Sequence, residues 1–427
     1  MADDTDAMAG ALHARPGPAV PRRRARVLII VQNLSVPLDR RVWQECRSLV
    51  AAGFGVSVIC PRGPGEAAHE ELEAVLIHRY APPPQAAGPI GFAVEFAYCW
   101  IRTALLSLRV ARREGFDVVQ ACNPPDTYWA LALAYKALGK RFVFDQHDLN
   151  PEVYASRFGR RGALHRLLRL LERASYAVAD HVIAANDSYR EVALRRGGVR
   201  PDEVTVVRSG PDARAMRRAA PVPGLRCGRK HLCVYLGIMG PQDGVDNALH
   251  AMRRLVDRGR DDVHLALLGF GDCLDDLRAL TAELGLDDRV TFTGLAGPET
   301  IRAYLSTATV GLSPDGLSPL NDVSTMNKTL EYMAFELPVV AFDLKETRVS
   351  AAGAALYVPS GDIDGYASAI TDLLDDEVRR REMGTLGRRR IEEELAWEHQ
   401  APRYVSVYRS LTAARSRRSR PGDARDD

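Results

Sequence analysis

A lysine and a glutamate three residues apart, Lys328 and Glu331, stand in the segment SPLNDVSTMNKTLEYMAFELPVVAF, Ser318 to Phe342. The spacing puts both on one face of a helix with Tyr332, while Leu330, Met333 and Ala334 take the opposite, buried face. Ser324 or Thr325 is expected to cap this helix, Pro338 to stop it, and Val339 to Phe342 to follow as a short apolar strand. A helix start attracts phosphate, a lysine beside it adds a point charge, and a carboxylate one turn on can accept hydrogen bonds from paired sugar hydroxyls. Together these are the chemistry of a nucleotide-sugar site. The competing account is an i,i+3 surface pair worth ~0.2 to 0.5 kcal/mol.

The rest of the chain reads as α/β scaffold for that segment. RVLIIVQ, Arg26 to Gln32, suits a parallel strand buried on both faces, and Val42, Cys46, Leu49 and Val50 fall at helical spacing after it. The loop between them lies at the carboxyl end of the first strand, where open α/β sheets bind ligands, so Asp39, Arg40 and Arg41 are candidates for the acceptor side. His147 follows the strand RFVFDQ at the same edge, with Asp145 and Asp148 beside it. A histidine there can bond a sugar hydroxyl or change protonation near neutral pH. Gly237 to Gly240 form a loop after the strand HLCVYL, where backbone amides can approach a pyrophosphate, and Gly269 and Gly271 make a tight turn after HLALL. The expected organisation is two α/β domains with parallel sheets: a disordered tail over 1–25, an acceptor-side domain over 26–212, a linker over 213–230, a nucleotide-sugar domain over 231–395, a returning helix over 396–413 and a second tail over 414–427.

NKTLEYMAFELPVVA resembles the donor signature of the family 4 glycosyltransferases, retaining enzymes of the GT-B fold, in the members that carry NK..EYMA..PVVA. The resemblance implies that Glu331 binds the donor ribose, that Asn327, Lys328 and the glycines 237, 240, 269 and 271 line the donor, and that His147 faces the transferred sugar. His147, Lys328 and Glu331 would then form the catalytic set. It also implies that the leaving phosphate takes the acceptor's proton, with no cofactor and no metal. Three departures stand out. Most members carry a second glutamate where this chain has Val323, with Asp322 one position off. Many place an arginine and a lysine on the donor phosphates where this chain has Ile238 or Met239, and Asp243. The first loop, PLDRRVWQE, matches the family pattern without its glycine pair. Phosphate neutralisation is therefore expected from Lys328, with Arg208 or Arg41 as helpers. A GT-B nucleotide-sugar epimerase and a non-catalytic partner subunit are the alternatives.

Composition sets the remaining bounds. The 57 basic and 55 acidic residues leave a net charge of +2, so no global field argues for nucleic acid. Seven scattered cysteines read as reduced, buried thiols of a cytoplasmic protein, and Cys227 and Cys233 lack the partners of a zinc set. Asp362 and Asp364 mimic a metal-binding D-x-D but precede a helix, where capping is the expected role. No uncharged apolar run of about 18 residues exists. Phe92, Phe96 and Trp100 form an aromatic stripe expected to pack in the core. RFGRRGALHRLLRLLER, Arg157 to Arg173, combines leucines 164, 167, 168 and 171, expected to pack on the first sheet, with six arginines able to meet anionic lipid. Peripheral attachment to the inner membrane face, near a lipid-linked acceptor, is the expectation.

Overall fold

Apolar runs bounded by turn residues become parallel strands covered on both faces. The computed structural model describes residues 24–83, 88–159 and 162–418, so residues 1–23, 84–87 and 419–427 and the pair Arg160 and Arg161 lie outside it. The first sheet comprises β1 (Arg26–Ile30), β2 (Gly55–Pro61), β3 (His69–Leu72), β4 (Val75–Tyr80), β5 (Val118–Cys122), β6 (Arg141–Gln146), β7 (His181–Ala184) and β8 (Val204–Val206). Their order is β3-β4-β2-β1-β5-β6-β7-β8, parallel except for the β3–β4 hairpin. Side chains alternate across it. Val27 and Ile29 pack with the helix Arg40–Ala51, while Leu28 and Ile30 face the helices Gly88–Arg113 and Trp129–Ala137.

The second sheet comprises β9 (His231–Leu236), β10 (Val263–Leu268), β11 (Val290–Gly294), β12 (Val310–Ser313), β13 (Val339–Phe342) and β14 (Ala355–Val358), all parallel in the order β11-β10-β9-β12-β13-β14. Each sheet has a switch point, at β1 between β2 and β5 and at β9 between β10 and β12. Loops leaving the strands there diverge and open a crevice. The loops carrying Arg40, Gly237 and Asp315 all start from these strands.

Two crossings join the halves. The segment after β8 runs so close to the second crossing that a Cβ on Gly210 would sit 2.1 Å from the Leu395 carbonyl oxygen. Arg388 fastens the linker by donating to the Ala213 and Met216 carbonyls at 2.8 and 2.7 Å. The closing helix, Trp397–Arg418, runs past its expected end at Ala413 and buries Trp397, Tyr404, Val407 and Tyr408 against the first sheet. No helix among the described residues is long and apolar enough to cross a membrane.

Four local expectations are corrected. The motif helix spans Asn327–Ala334 with Met326 at its cap position and no side-chain cap. Ser324 instead donates to the Leu320 carbonyl and meets Tyr189, and Thr325 accepts from Asn186, so both hydroxyls serve the contact between domains. The helix has no solvent face either, since Lys328 through Ala334 are all buried. Leu164 and Leu167 are exposed, because the helix Ala163–Val178 reaches the protein body through Glu172, Ser175 and Tyr176 in its second half. Phe96 is exposed as well, while Trp100 packs on the first core. Asp362 caps the helix Ile363–Asp375 as expected, accepting from the Gly365 amide at 2.8 Å.

Candidate active site

His147 stands just beyond β6, and its loop is pinned from β5: the backbone amides of His147 and Asp148 both donate to Asn123 Oδ1, at 2.7 and 3.0 Å. Asp145, on the last turn of the strand, is fully buried. Its Oδ2 lies 2.9 Å from His147 Nε2 and accepts from Gln120 Nε2 at 2.7 Å, while Oδ1 accepts from Arg41 at 3.1 Å. Arg41 is the buried centre of this group. It also pairs with Glu45 at 3.1 Å and donates to the Val207 carbonyl and Ser209 Oγ. Gln120 Nε2 reaches Glu45 Oε2 at 2.8 Å, and Gln120 Oε1 accepts from Tyr404 at 2.6 Å and from Tyr408. The closing helix thus fixes an amide that orients the two carboxylates beneath the histidine.

The electrostatics follow from burial and pairing. Burial opposes the charged forms of both Asp145 and His147, but His147 and Arg41 together outweigh it for Asp145, and Asp145 with Glu45 outweighs it and Arg41 for His147. The Asp145 carboxyl is held below its ordinary range and His147 above its own. Burial, then the charge of Asp145, pushes Glu45 upward. Glu45, Cys122, Asp145 and His147 have ligand-type atoms within 4.8 Å of one another, a set that could hold a metal by residue type. The Arg41 guanidinium, bonded to Glu45, Asp145 and His147, already supplies a cation to it.

Across the crevice, Lys328 reaches from the motif helix to Asp315, just past β12, at 2.5 Å, and lies 4.0 Å from Asp243 and 5.1 Å from the Tyr235 ring centre. Asp243, an acid on the loop after β9, thus faces the lysine of the motif helix. Burial pushes Asp243 up to about 6, with Lys328 opposing. Lys328 and Glu331 do not pair with each other. Glu331 is 9% exposed at its side chain; Arg40 donates to its Oε1 at 2.7 Å, and its buried Oε2 has no hydrogen-bond partner.

The remaining candidates fall as follows. Asp39 caps the helix Arg40–Ala51 by accepting from the Val42 amide. Arg40 crosses the crevice to Glu331, whereas Arg41 is buried in the Asp145 group rather than open to an acceptor. Asn327 is exposed at the helix start. The amides of Gly237, Met239 and Gly240 bond Leu268 O, Phe270 O and Asp243 Oδ2, so this loop is closed on itself. Gly269 and Gly271 serve that closure: a Cβ on Gly269 would stand 1.8 Å from Gly237 O, and one on Gly271 2.6 Å from Met239. Arg208 joins Asp187 to Glu346. Asp322 accepts from the Lys345 amide, and Val323, at the place of the missing glutamate, packs on the first-domain core.

Comparison with known structures defines the class. Sucrose-phosphate synthase from Thermosynechococcus elongatus superposes with a TM-score of 0.74 at 21% identity, over 92% of this chain and all of that one. Anabaena HepE, solved with UDP-glucose, gives 0.70 at 15% identity over 90% and 99%. The fold is GT-B. The description Glycosyltransferase Family 4 matches residues 38–214, and Glycosyl transferases group 1 matches residues 230–376. Among relatives, α-maltose-1-phosphate synthase of Mycolicibacterium smegmatis is 28% identical over 66% of this chain and 76% of its own length. The GDP-mannose-dependent α-(1-6)-phosphatidylinositol monomannoside mannosyltransferase of Mycobacterium tuberculosis is 28% identical over 71% and 86%. The chain belongs to the family 4 glycosyltransferases.

Proposed function

We propose that the protein moves a hexosyl or N-acetylhexosaminyl group from a nucleoside diphosphate donor, UDP-linked, to a glycan or lipid-linked acceptor, with retention at the anomeric carbon and without a bound metal or cofactor. One observation carries the reading: Glu331 presents a buried carboxylate oxygen without a partner at the crevice. A buried acceptor left unbonded costs about 1–3 kcal/mol, and ribose hydroxyls are donors of the right kind. His147, fixed against Asp145 and raised by it above its ordinary range, is suited to bond a hydroxyl of the transferred sugar. In this reading the leaving phosphate accepts the acceptor's proton, and the protein stabilises charge and orients two substrates.

The base of the donor is the finer question, since one relative is named for GDP-mannose and one structural neighbour holds UDP-glucose. Calorimetry with UDP and GDP tests both levels. UDP should bind, and Glu331→Ala should weaken it about 10- to 100-fold, the worth of bonds to a charged acceptor. Preference for GDP would replace the base; indifference of the variant would remove Glu331 from the donor site; failure of either nucleotide to bind would favour a non-catalytic subunit.

The acceptor reading extends to an anionic membrane surface. Leu164, Leu167 and Leu170 are exposed on a helix that also exposes Arg166, Arg169 and Arg173, and Phe96, Ile101 and Leu105 are exposed on the helix Gly88–Arg113. Arg157 is not part of this surface, because it pairs with Asp272 of the second domain. Apolar side chains beside arginines suit the headgroup boundary of a bilayer, where each cation is worth about 1 kcal/mol. Sedimentation with anionic vesicles at low salt should carry the protein down, and replacing Arg166, Arg169 and Arg173 by Gln should release it. Equal sedimentation of the variant would leave the acceptor unattached to this surface.

A further inference from the structure

The donor diphosphate needs cations, and the crevice offers few that are uncommitted. Lys328 lies between Asp315 and Asp243, one positive charge beside two acids. Arg41 and Arg208 are enclosed, with side chains 9% and 10% exposed, the first among Asp145, Glu45 and His147, the second between Asp187 and Glu346. The glycine loop does not replace them, since the amides of Gly237, Met239 and Gly240 are engaged within the protein. Arg40 differs from all of these. Its side chain is 62% exposed, it opens the helix Arg40–Ala51 that follows β1 at the switch point of the first sheet, and its ion pair is with Glu331, the carboxylate assigned to the ribose.

We infer that Arg40 exchanges partners when the donor binds, yielding Glu331 to the ribose hydroxyls and gripping the diphosphate in place of the family's missing arginine and lysine. This rests on the ribose reading of Glu331. A guanidinium stays protonated throughout, so once displaced from one anion it needs another. In a nucleoside diphosphate that anion is joined to the same ribose. Arginine's fork suits phosphate oxygens, and its long side chain can swing from carboxylate to phosphate without a backbone change. The contact also joins the domains: Arg40 belongs to the first and Glu331 to the second, so the exchange substitutes a ligand bridge for a protein bridge across the crevice.

The exchange makes a prediction of opposite signs. In Arg40→Ala, uridine should bind more tightly than to wild type, because Glu331 has lost its competing cation. UDP should bind about tenfold or more weakly, because the phosphates have lost a charge-assisted partner. Calorimetry at two salt concentrations reads both, and the salt dependence of UDP binding should fall in the variant. Arg40→Lys, which keeps the charge without the fork, should lie between. Parallel losses for uridine and UDP would make Arg40 a structural bridge, and parallel gains would make it a competitor that never reaches phosphate. Either outcome overturns the proposal. Unchanged UDP affinity overturns it as well. If guanosine and GDP are the ligands wild type prefers, the same pair of measurements applies to them. If wild type binds neither nucleotide, the ribose reading falls, and the exchange with it.

Discussion

On the first-domain face of the crevice both oxygens of Asp145 are bonded, to Arg41 and to His147 and Gln120, and the group continues through Gln120 to two tyrosines. On the second-domain face, one short helix carries a lysine held between two acids from neighbouring loops and a glutamate with a bare oxygen. The first face is wired before any ligand arrives; the second, in the proposed function, is completed by one. A wired group fixes protonation and orientation, as contact with a reacting sugar requires, while an incomplete one gains most from binding.

The largest expected effect lies on the wired face. Asp145→Asn removes the carboxylate shared by Arg41 and His147 and leaves the enclosed Arg41 cation with Glu45 alone, and breaking such a pair costs about 3–5 kcal/mol. Chemical denaturation should show that loss, with turnover falling further than UDP affinity; a variant of wild-type stability would mean that the group is not wired as described. Next comes Lys328→Met. Without the lysine, Asp243 and Asp315 repel an incoming diphosphate and each other, so UDP affinity should drop about tenfold or more at pH 7.5. Asp243, pushed up to about 6 by burial even with Lys328 opposing, should rise further, so the variant should recover affinity on acidification from pH 7.5, beginning at a higher pH than any change in wild type. No recovery would disconnect Asp243 from the donor. The smallest effect belongs to the Tyr404→Phe and Tyr408→Phe double variant. It removes two donors from Gln120 and should cost about 1–3 kcal/mol of stability. The pH dependence of turnover should shift while UDP affinity stays constant; a stability loss with an unmoved pH profile would reduce the tyrosines to packing.

The two faces also differed in how far the sequence revealed them. The motif helix was legible because its residues are neighbours in the chain, and the βαβ rhythm placed His147 and Arg40 at the strand ends that line the crevice. Glu45 carried a signal of its own, a lone acid on the apolar face of Val42, Cys46 and Leu49, four residues after Arg41. Tyr404 and Tyr408 carried none. Their spacing reads as helix packing, and their target, Gln120, lies in a strand of the other domain. The hydroxyls of Ser324 and Thr325 misled for a similar reason, since a side chain that can cap a helix can equally bond a residue brought near by the fold.

The closing helix changes what counts as a separable part of this chain. Its residues follow the second domain in the chain, yet Trp397 bonds Ser48 and its tyrosines complete the group under His147. A chimera joined once, within the linker, would pair one parent's histidine group with the other parent's tyrosines. Exchange between relatives therefore has two natural joints, one in the linker and one near Gly210's crossing partner Leu395, and a transplanted donor domain should end before Trp397. By the same logic, a fragment cut after β8 is an incomplete domain, with the buried amide of Gln120 facing solvent where Tyr404 and Tyr408 belong.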